Sequence, residues 1–153
     1  MTRTRLAFPL LVAVAALGAP HGASGAKSPP TTTLLFSFVS NTGGFDTGIA
    51  IANTTADPFE TTPQDGTCTL GFFGTNPPAA AVVTPTVAAG TVFVNTISAL
   101  APGFQGYLIA ECEFPLAHGF AFVHEAGTIG FAAGQLAHVI PPRKRKSGER
   151  LDH

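Results

Sequence analysis

Lysine and arginine are missing from residues 28–142, although the whole chain has eight of them. The same stretch contains seven aspartates and glutamates, so its formal charge is −7 when histidine is neutral. Proteins that bind nucleic acids gain most of their affinity from lysines and arginines that neutralise phosphates. We therefore predict that this part of the chain does not bind nucleic acid.

Tryptophan is absent as well, and cysteine occurs only twice, at Cys68 and Cys112. The missing tryptophan excludes the buried Trp that packs against the disulfide of antibody domains. Two cysteines in a chain bound for an oxidising compartment are expected to form a disulfide. Two separate buried thiols are the alternative.

No apolar run in the chain reaches the ~20 residues that a membrane-spanning helix needs. The run from Leu6 to Ala19 follows two arginines and precedes a stretch of small residues, which is the order of a secretory signal peptide. We expect cleavage after Ala26, so that residues 1–26 form the signal peptide. The chain is then secreted or displayed at the cell surface, with the periplasm as a further location. An uncleaved N-terminal anchor is the alternative.

Short apolar runs separated by Gly, Pro, Asn, Asp and Thr clusters fill the rest of the chain, and none keeps a helical period over three turns. This pattern predicts many short strands. The predicted strands cover residues 33–40, 47–53, 68–73, 80–86, 91–98, 105–113 and 117–125, with a weaker eighth at 136–140. We therefore expect residues 27–142 to form an all-β, immunoglobulin-like antiparallel sandwich of about seven to eight strands, followed by a disordered basic tail at 143–153.

Strand alternation predicts which side chains face the core, because successive residues point to opposite sides. Leu34, Phe36 and Phe38 are expected to share the inner face of the first strand. Cys68 and Cys112 each fall on the apolar side of their strands. The predicted disulfide therefore joins inward positions, and we expect it to bridge the two sheets as in immunoglobulin-type sandwiches.

Histidines offer no convincing metal site. His124 and Glu125 begin like a zinc-protease signature, but Thr128 stands where the second histidine belongs. His118 and His124 are about 20 Å apart along an extended strand, too far to share one ion with His138. We interpret these histidines as structural or solvent-exposed.

Acidic side chains are equally scattered. Glu111 and Glu113 share one strand face at a spacing of about 7 Å, which would suit an inverting glycosidase, but two acids on an exposed strand are usually only solvated. The long loop 54–67 carries Asp57, Glu60 and Asp65, oxygen donors that calcium prefers, at a spacing that matches no calcium loop. We predict no catalytic residue, no metal site and no cofactor.

Three phrases carry a resemblance to a known group: FDTGIAIANTTADPF, GTCTLGFFG and GFQGYLIAECEFPLAHGFAFV. Over about residues 34–124 the chain resembles uncharacterised secreted β-sandwich proteins of environmental bacteria. The resemblance implies export and a sandwich fold, and it brings no ligand or catalytic residues.

The function expected from these observations is a non-catalytic structural, adhesive or interaction domain with an extracellular protein or glycan partner, or with itself. A surface-fibre subunit assembled by strand addition is the alternative, since unpaired strand edges template association. A secreted hydrolase is the third and least favoured hypothesis.

Overall fold

The computed structural model describes residues 31–127 and 130–142 of the chain. In these ranges it contains nine strands and one short helix. The elements are β1 Thr32–Ser40, β2 Phe45–Asn53, β3 Cys68–Thr75, β4 Val82–Val83, β5 Val92–Thr96, α1 Ile97–Leu100, β6 Gln105–Cys112, β7 Ala117–Glu125, β8 Ala132–Leu136 and β9 His138–Ile140. The predicted signal peptide (1–26) and basic tail (143–153) lie outside the described residues.

The strands form two antiparallel sheets that pack on one core. The five-stranded sheet has the order β4-β3-β6-β1-β9, and the four-stranded sheet has the order β5-β2-β7-β8. The predicted all-β sandwich is thereby confirmed. The strand order is its own: β1 and β2 lie in different sheets, whereas the first two strands of an immunoglobulin constant domain share one.

Three predicted strands have different bounds in the structure. The strand predicted at 80–86 is reduced to the two residues of β4, because the chain bends at 79–80 and Pro85 has no N–H to continue the pairing. The strand predicted at 91–98 is shorter in the structure, because β5 stops at Thr96 and the next residues form α1. The buried Asp46 holds this turn, since its carboxylate accepts hydrogen bonds from the backbone N–H of Ser98 at 3.1 Å and from its hydroxyl at 2.5 Å. The segment predicted as one strand at 136–140 belongs to two strands in the structure. Leu136 ends β8 in one sheet, and after Ala137 the chain continues as β9 in the other sheet.

The two sheets pack against each other where β7 faces β1. A side chain at Gly119 would place its Cβ 2.7 Å from the ring of Phe36 and 2.7 Å from Ala137. Such distances are well inside van der Waals contact, so only glycine fits here. Phe36 itself is fully buried together with Phe104 and Phe114. The small residues of β7 therefore face the core, and its large residues face outward.

The prediction that Phe38 shares the inner face of β1 with Leu34 and Phe36 is wrong. Pairing with β6 shifts register between Phe36 and Val39, which marks a β-bulge with one extra residue on β1. Val39 is fully buried as a result, whereas Phe38 is 44% exposed. The bulge therefore moves an aromatic ring from the core to the side of the sandwich.

The disulfide joins Cys68 and Cys112 as predicted, but it does not bridge the two sheets. The two residues lie directly opposite each other on β3 and β6, neighbouring strands of the five-stranded sheet, with Cα atoms 4.0 Å apart. Both are buried, so the prediction that they face inward is correct. Side-chain alternation predicts which side of a strand a residue faces, but not which strand lies next to it. The predicted inter-sheet bridge is therefore corrected to a bridge between neighbouring strands of one sheet.

Candidate functional site

The histidines considered as metal ligands are placed on opposite sides of the sandwich. His118 and His124 point outward from β7 in the four-stranded sheet. His138 pairs with Leu35 on the outer side of the five-stranded sheet. Within residues 31–127 and 130–142, no three His, Cys, Asp or Glu side chains lie close enough together to hold a metal ion.

Glu111 and Glu113 are both exposed on the outer side of the five-stranded sheet. Glu113 is engaged with Thr67, whose backbone N–H and hydroxyl donate to its Oε2 at 3.1 Å and 2.9 Å. These hydrogen bonds, the backbone one first, lower the pKa of Glu113 below its usual value. The carboxylate thus fastens the end of the long loop 54–67 to β6, which is a structural role.

Acidification should destabilise the fold partly through Glu113. A carboxyl whose pKa is lower in the folded than in the unfolded chain stabilises the fold at neutral pH, and this contribution is lost as the pH falls below about 4. We expect the decrease in unfolding free energy between pH 6 and pH 3, measured by urea denaturation, to be smaller in Glu113→Gln. Glu111→Gln removes an acid from the same face without touching Thr67, and an equal decrease in both variants would contradict this assignment.

The acids of the long loop organise its backbone. Asp57 accepts hydrogen bonds from the hydroxyl of Thr61 at 2.7 Å and from the backbone N–H of Phe59 at 2.8 Å, and these bonds lower its pKa. Asp65 accepts the N–H of Ala89 at 2.8 Å. Asp57 therefore holds a local turn and Asp65 ties the loop to the segment at Ala89, and the described residues bring no three such groups together as a calcium site.

Asn53 ties this loop to the body of the domain. Its amide nitrogen donates to the carbonyls of Gln64 and Val87 at 2.8 Å and 2.9 Å, and its oxygen accepts the hydroxyl of Thr55 at 2.7 Å. The side chain is 1% exposed. Asn53 also begins an Asn-Thr-Thr glycosylation signal, but both donor positions of its amide are used and buried, so the folded chain does not present it.

An apolar surface covers the outer side of the four-stranded sheet. We call this side the apolar face; its outward apolar side chains are Ala50, Ala52, Val92, Val94, Phe120, Phe122, Ala132 and Leu136, and Thr96, His118 and His124 lie on the same side. One row crosses all four strands through Val94, Ala50, Phe120 and Leu136. Val94 is 69% exposed and Leu136 is 74% exposed.

The described positions of the apolar face include no lysine, arginine or glutamate. Its ionisable side chains are His118 and His124 on β7 and the buried Asp46 at its border. The ring of Phe120 lies across Gly134, where a Cβ would come within 2.6 Å of the ring. A residue without a side chain on β8 therefore lets the aromatic surface lie flat.

This face departs from the usual pattern of a sandwich, in which outward positions are polar. The outer side of the five-stranded sheet is mixed: Thr33, Thr69 and Glu111 share a row with Val83, and Phe73 and Tyr107 stack on each other farther along the strands. Contiguous apolar surfaces of several hundred Å² mark interaction sites on soluble proteins. Strand alternation puts His118, Phe120, Phe122 and His124 on one side of β7, and this alternation is the signal for the face in the sequence.

Comparisons with protein-family models, with curated proteins and with solved structures find no match to this chain. The resemblance to secreted sandwich proteins stays a prediction. The helix among the described residues, Ile97–Leu100, is not long enough to cross a membrane.

Proposed function

We propose that this chain is a non-catalytic interaction domain, exported to the medium or the cell surface, which binds a protein partner through the apolar face. The observation that carries the proposal is the exposure of Val94, Phe120, Phe122 and Leu136 on one side of the sandwich, whose described positions include no lysine, arginine or glutamate. Removing such side chains from water is the main favourable term in protein association. The acidic residues Glu111 and Glu113, on the opposite side, do not oppose contact there.

The dimensions of the apolar face support this role. Four strands spaced ~4.8 Å apart and about seven residues of β7 give a surface of roughly 20 Å by 25 Å. Covering it would bury about 1,000 Å² in total when both partners are counted, which is close to the lower limit for a specific interface. The exposed apolar side chains of this face are contiguous, whereas the ordinary hydrophobic residues of a protein surface are scattered singly.

Site-specific crosslinking tests the proposal. We expect a photo-reactive amino acid at position 94, on the apolar face, to give a discrete crosslinked species in the cells that produce the protein. The same probe at position 83 is the matched control, because Val83 is 57% exposed on the other sheet. The mass of the species distinguishes a second copy from a different protein.

A charge on the face provides the loss-of-binding test. Val94→Lys should abolish the crosslink formed by a probe at position 136, whereas Val83→Lys should leave it intact. Both valines are more than half exposed, so the fold should tolerate either change. Equal crosslinking at positions 94 and 83, or none at either, would rule out the apolar face as the binding surface.

Strand addition remains the second candidate, and the edge strand β5 favours it. This strand ends its sheet, and its residues Val92–Thr96 include neither a charge nor a proline. Natural edge strands usually carry such protection against pairing. A groove of about 240 Å³ between β5 and the segment 85–87 leaves room beside the edge. A ladder of covalent oligomers from the probe at position 94 would favour this fibre-like assembly.

A catalytic role, such as a secreted hydrolase, ranks below both. The histidines and glutamates that the sequence offered lie on different outer faces, and Glu113 is held by Thr67. Acid–base catalysis needs such groups within hydrogen-bond reach of one substrate atom. The separation of these groups supports a domain that binds without reacting.

A further inference from the structure

A cleft opens at the side of the sandwich, between β1 of one sheet and β8 of the other, apart from the apolar face. Four apolar side chains line it: Phe38, Phe45, Val123 and Phe131. We call it the aromatic cleft. Its volume is about 360 Å³. A neighbouring hollow shares Phe38, Val123 and Phe131 with it and extends the cleft along β8 to Ala133 and Gln135. Sites for small ligands in proteins are typically concave, mostly apolar and about 300–1,000 Å³ in size.

The walls of the cleft are held in place by specific contacts. The bulge in β1 rotates Phe38 out of the core, and the side-chain amide of Gln135 donates a hydrogen bond to the Phe38 carbonyl. Phe45 and Phe131 meet edge to face with their ring centres 6.4 Å apart. Bulges are found next to binding sites because they redirect a side chain in this way. The cleft is therefore formed before any ligand arrives.

Polar groups gather at one end of the cleft, where Ser40, Thr42 and Gln105 line it. The hydroxyls of Ser40 and Thr42 are 3.1 Å apart, and the Thr42 hydroxyl donates to Gln105 Oε1 at 2.9 Å. Within the described residues, the amide nitrogen of Gln105 has no hydrogen-bond partner, so it can donate to a ligand. The cleft thus suits a ligand that has an apolar body and one hydrogen-bonding end.

Charge narrows the ligand class. Among the described residues, those that line the aromatic cleft include neither an acid nor a base. Residues 28–142 have seven acids and no lysine or arginine, so the body offers an anion no partner and repels it. Burying an unpaired charge among phenylalanines is also costly. These features select an uncharged ligand.

We propose that the aromatic cleft binds an uncharged molecule with an alkyl or aromatic body and one hydrogen-bond-accepting oxygen, such as a fatty alcohol or an acyl ester. The body lies between Phe38, Phe131 and Val123, and the oxygen accepts from Gln105. This binding is separate from the proposed role of the apolar face, because the two surfaces use different side chains.

Isothermal titration of the purified chain with decanol and with decanoate tests the proposal. The two probes have the same chain length and differ in charge at neutral pH. We expect saturable binding of decanol and at least tenfold weaker binding of decanoate. No saturable binding of decanol, or equal affinity for both probes, would overturn the proposal.

Variants assign the binding to the cleft. Phe131→Ala should weaken decanol binding about tenfold, and Ala133→Trp should block it by filling the cleft. Phe131 and Ala133 are exposed, so the fold should survive both changes, and the melting temperature verifies this. Phe73→Ala, at a ring 45% exposed on the other sheet, should bind decanol unchanged. A loss in Phe73→Ala equal to that in Phe131→Ala would place the binding elsewhere and refute the assignment.

Discussion

Reducing the Cys68–Cys112 disulfide is expected to lower the free energy of unfolding by about 4 kcal/mol, because the bond closes a loop between residues 44 positions apart. In the chain-entropy account, the bond restricts the unfolded chain and the restriction is lost on reduction. For a domain of this size the melting temperature should fall by roughly 10–20 °C. Thermal denaturation followed by circular dichroism, with and without a phosphine reductant, measures the change.

The double variant Cys68→Ala, Cys112→Ala is the control for the reductant, since its melting temperature should be the same in both conditions. Thiol labelling of the denatured, unreduced protein provides the independent check. We expect no free thiol, because both cysteines are buried and bonded to each other. Two labelled thiols per chain would contradict the disulfide.

Replacing Asn53 by aspartate should destabilise the fold by about 3 kcal/mol or more, although the two side chains have nearly the same shape. Aspartate cannot donate to the carbonyls of Gln64 and Val87, and it places a buried carboxylate against them. The loop 54–67 then loses its attachment to β2. Urea denaturation at neutral pH measures the cost.

Asn76→Asp is the matched control, because Asn76 is exposed and donates one hydrogen bond at 3.3 Å to the Gly103 carbonyl. A surface change of this kind should alter the unfolding free energy by less than about 0.5 kcal/mol. Equal costs for the two variants would show that the hydrogen bonds of Asn53 contribute nothing beyond those of a surface amide.

Most strands could be predicted from sequence because their side chains alternate. The predictions at 33–40, 47–53, 68–73, 105–113 and 117–125 agree with β1, β2, β3, β6 and β7 to within two residues at each end. The errors occur where a tertiary contact overrides the local pattern. Asp46 binds Ser98 and turns the end of one strand into a helix, and the bulge at Phe36/Val39 reverses the side of Phe38. Neither contact has a signal in the local sequence.

The candidate surfaces were harder to predict than the fold. On β7, Ala117, Gly119 and Ala121 alternate with His118, Phe120 and Phe122, and hydrophobicity alone favours the aromatic side as the core. The structure buries the small residues because the opposite sheet comes close at Gly119. The aromatic cleft likewise depends on a bulge and on the crossing of β8 into β9, which are tertiary features.

Composition and the two-residue period of a strand suffice to predict the all-β sandwich, the inward side of both cysteines and the lack of lysine and arginine between residues 28 and 142. Three features depend on how the strands pack: the disulfide joins neighbouring strands, Phe38 leaves the core, and Phe120 and Phe122 face outward. Alternation divides the residues of a strand into two faces. Which face is buried, and beside which strand, follows from how closely the two sheets can pack.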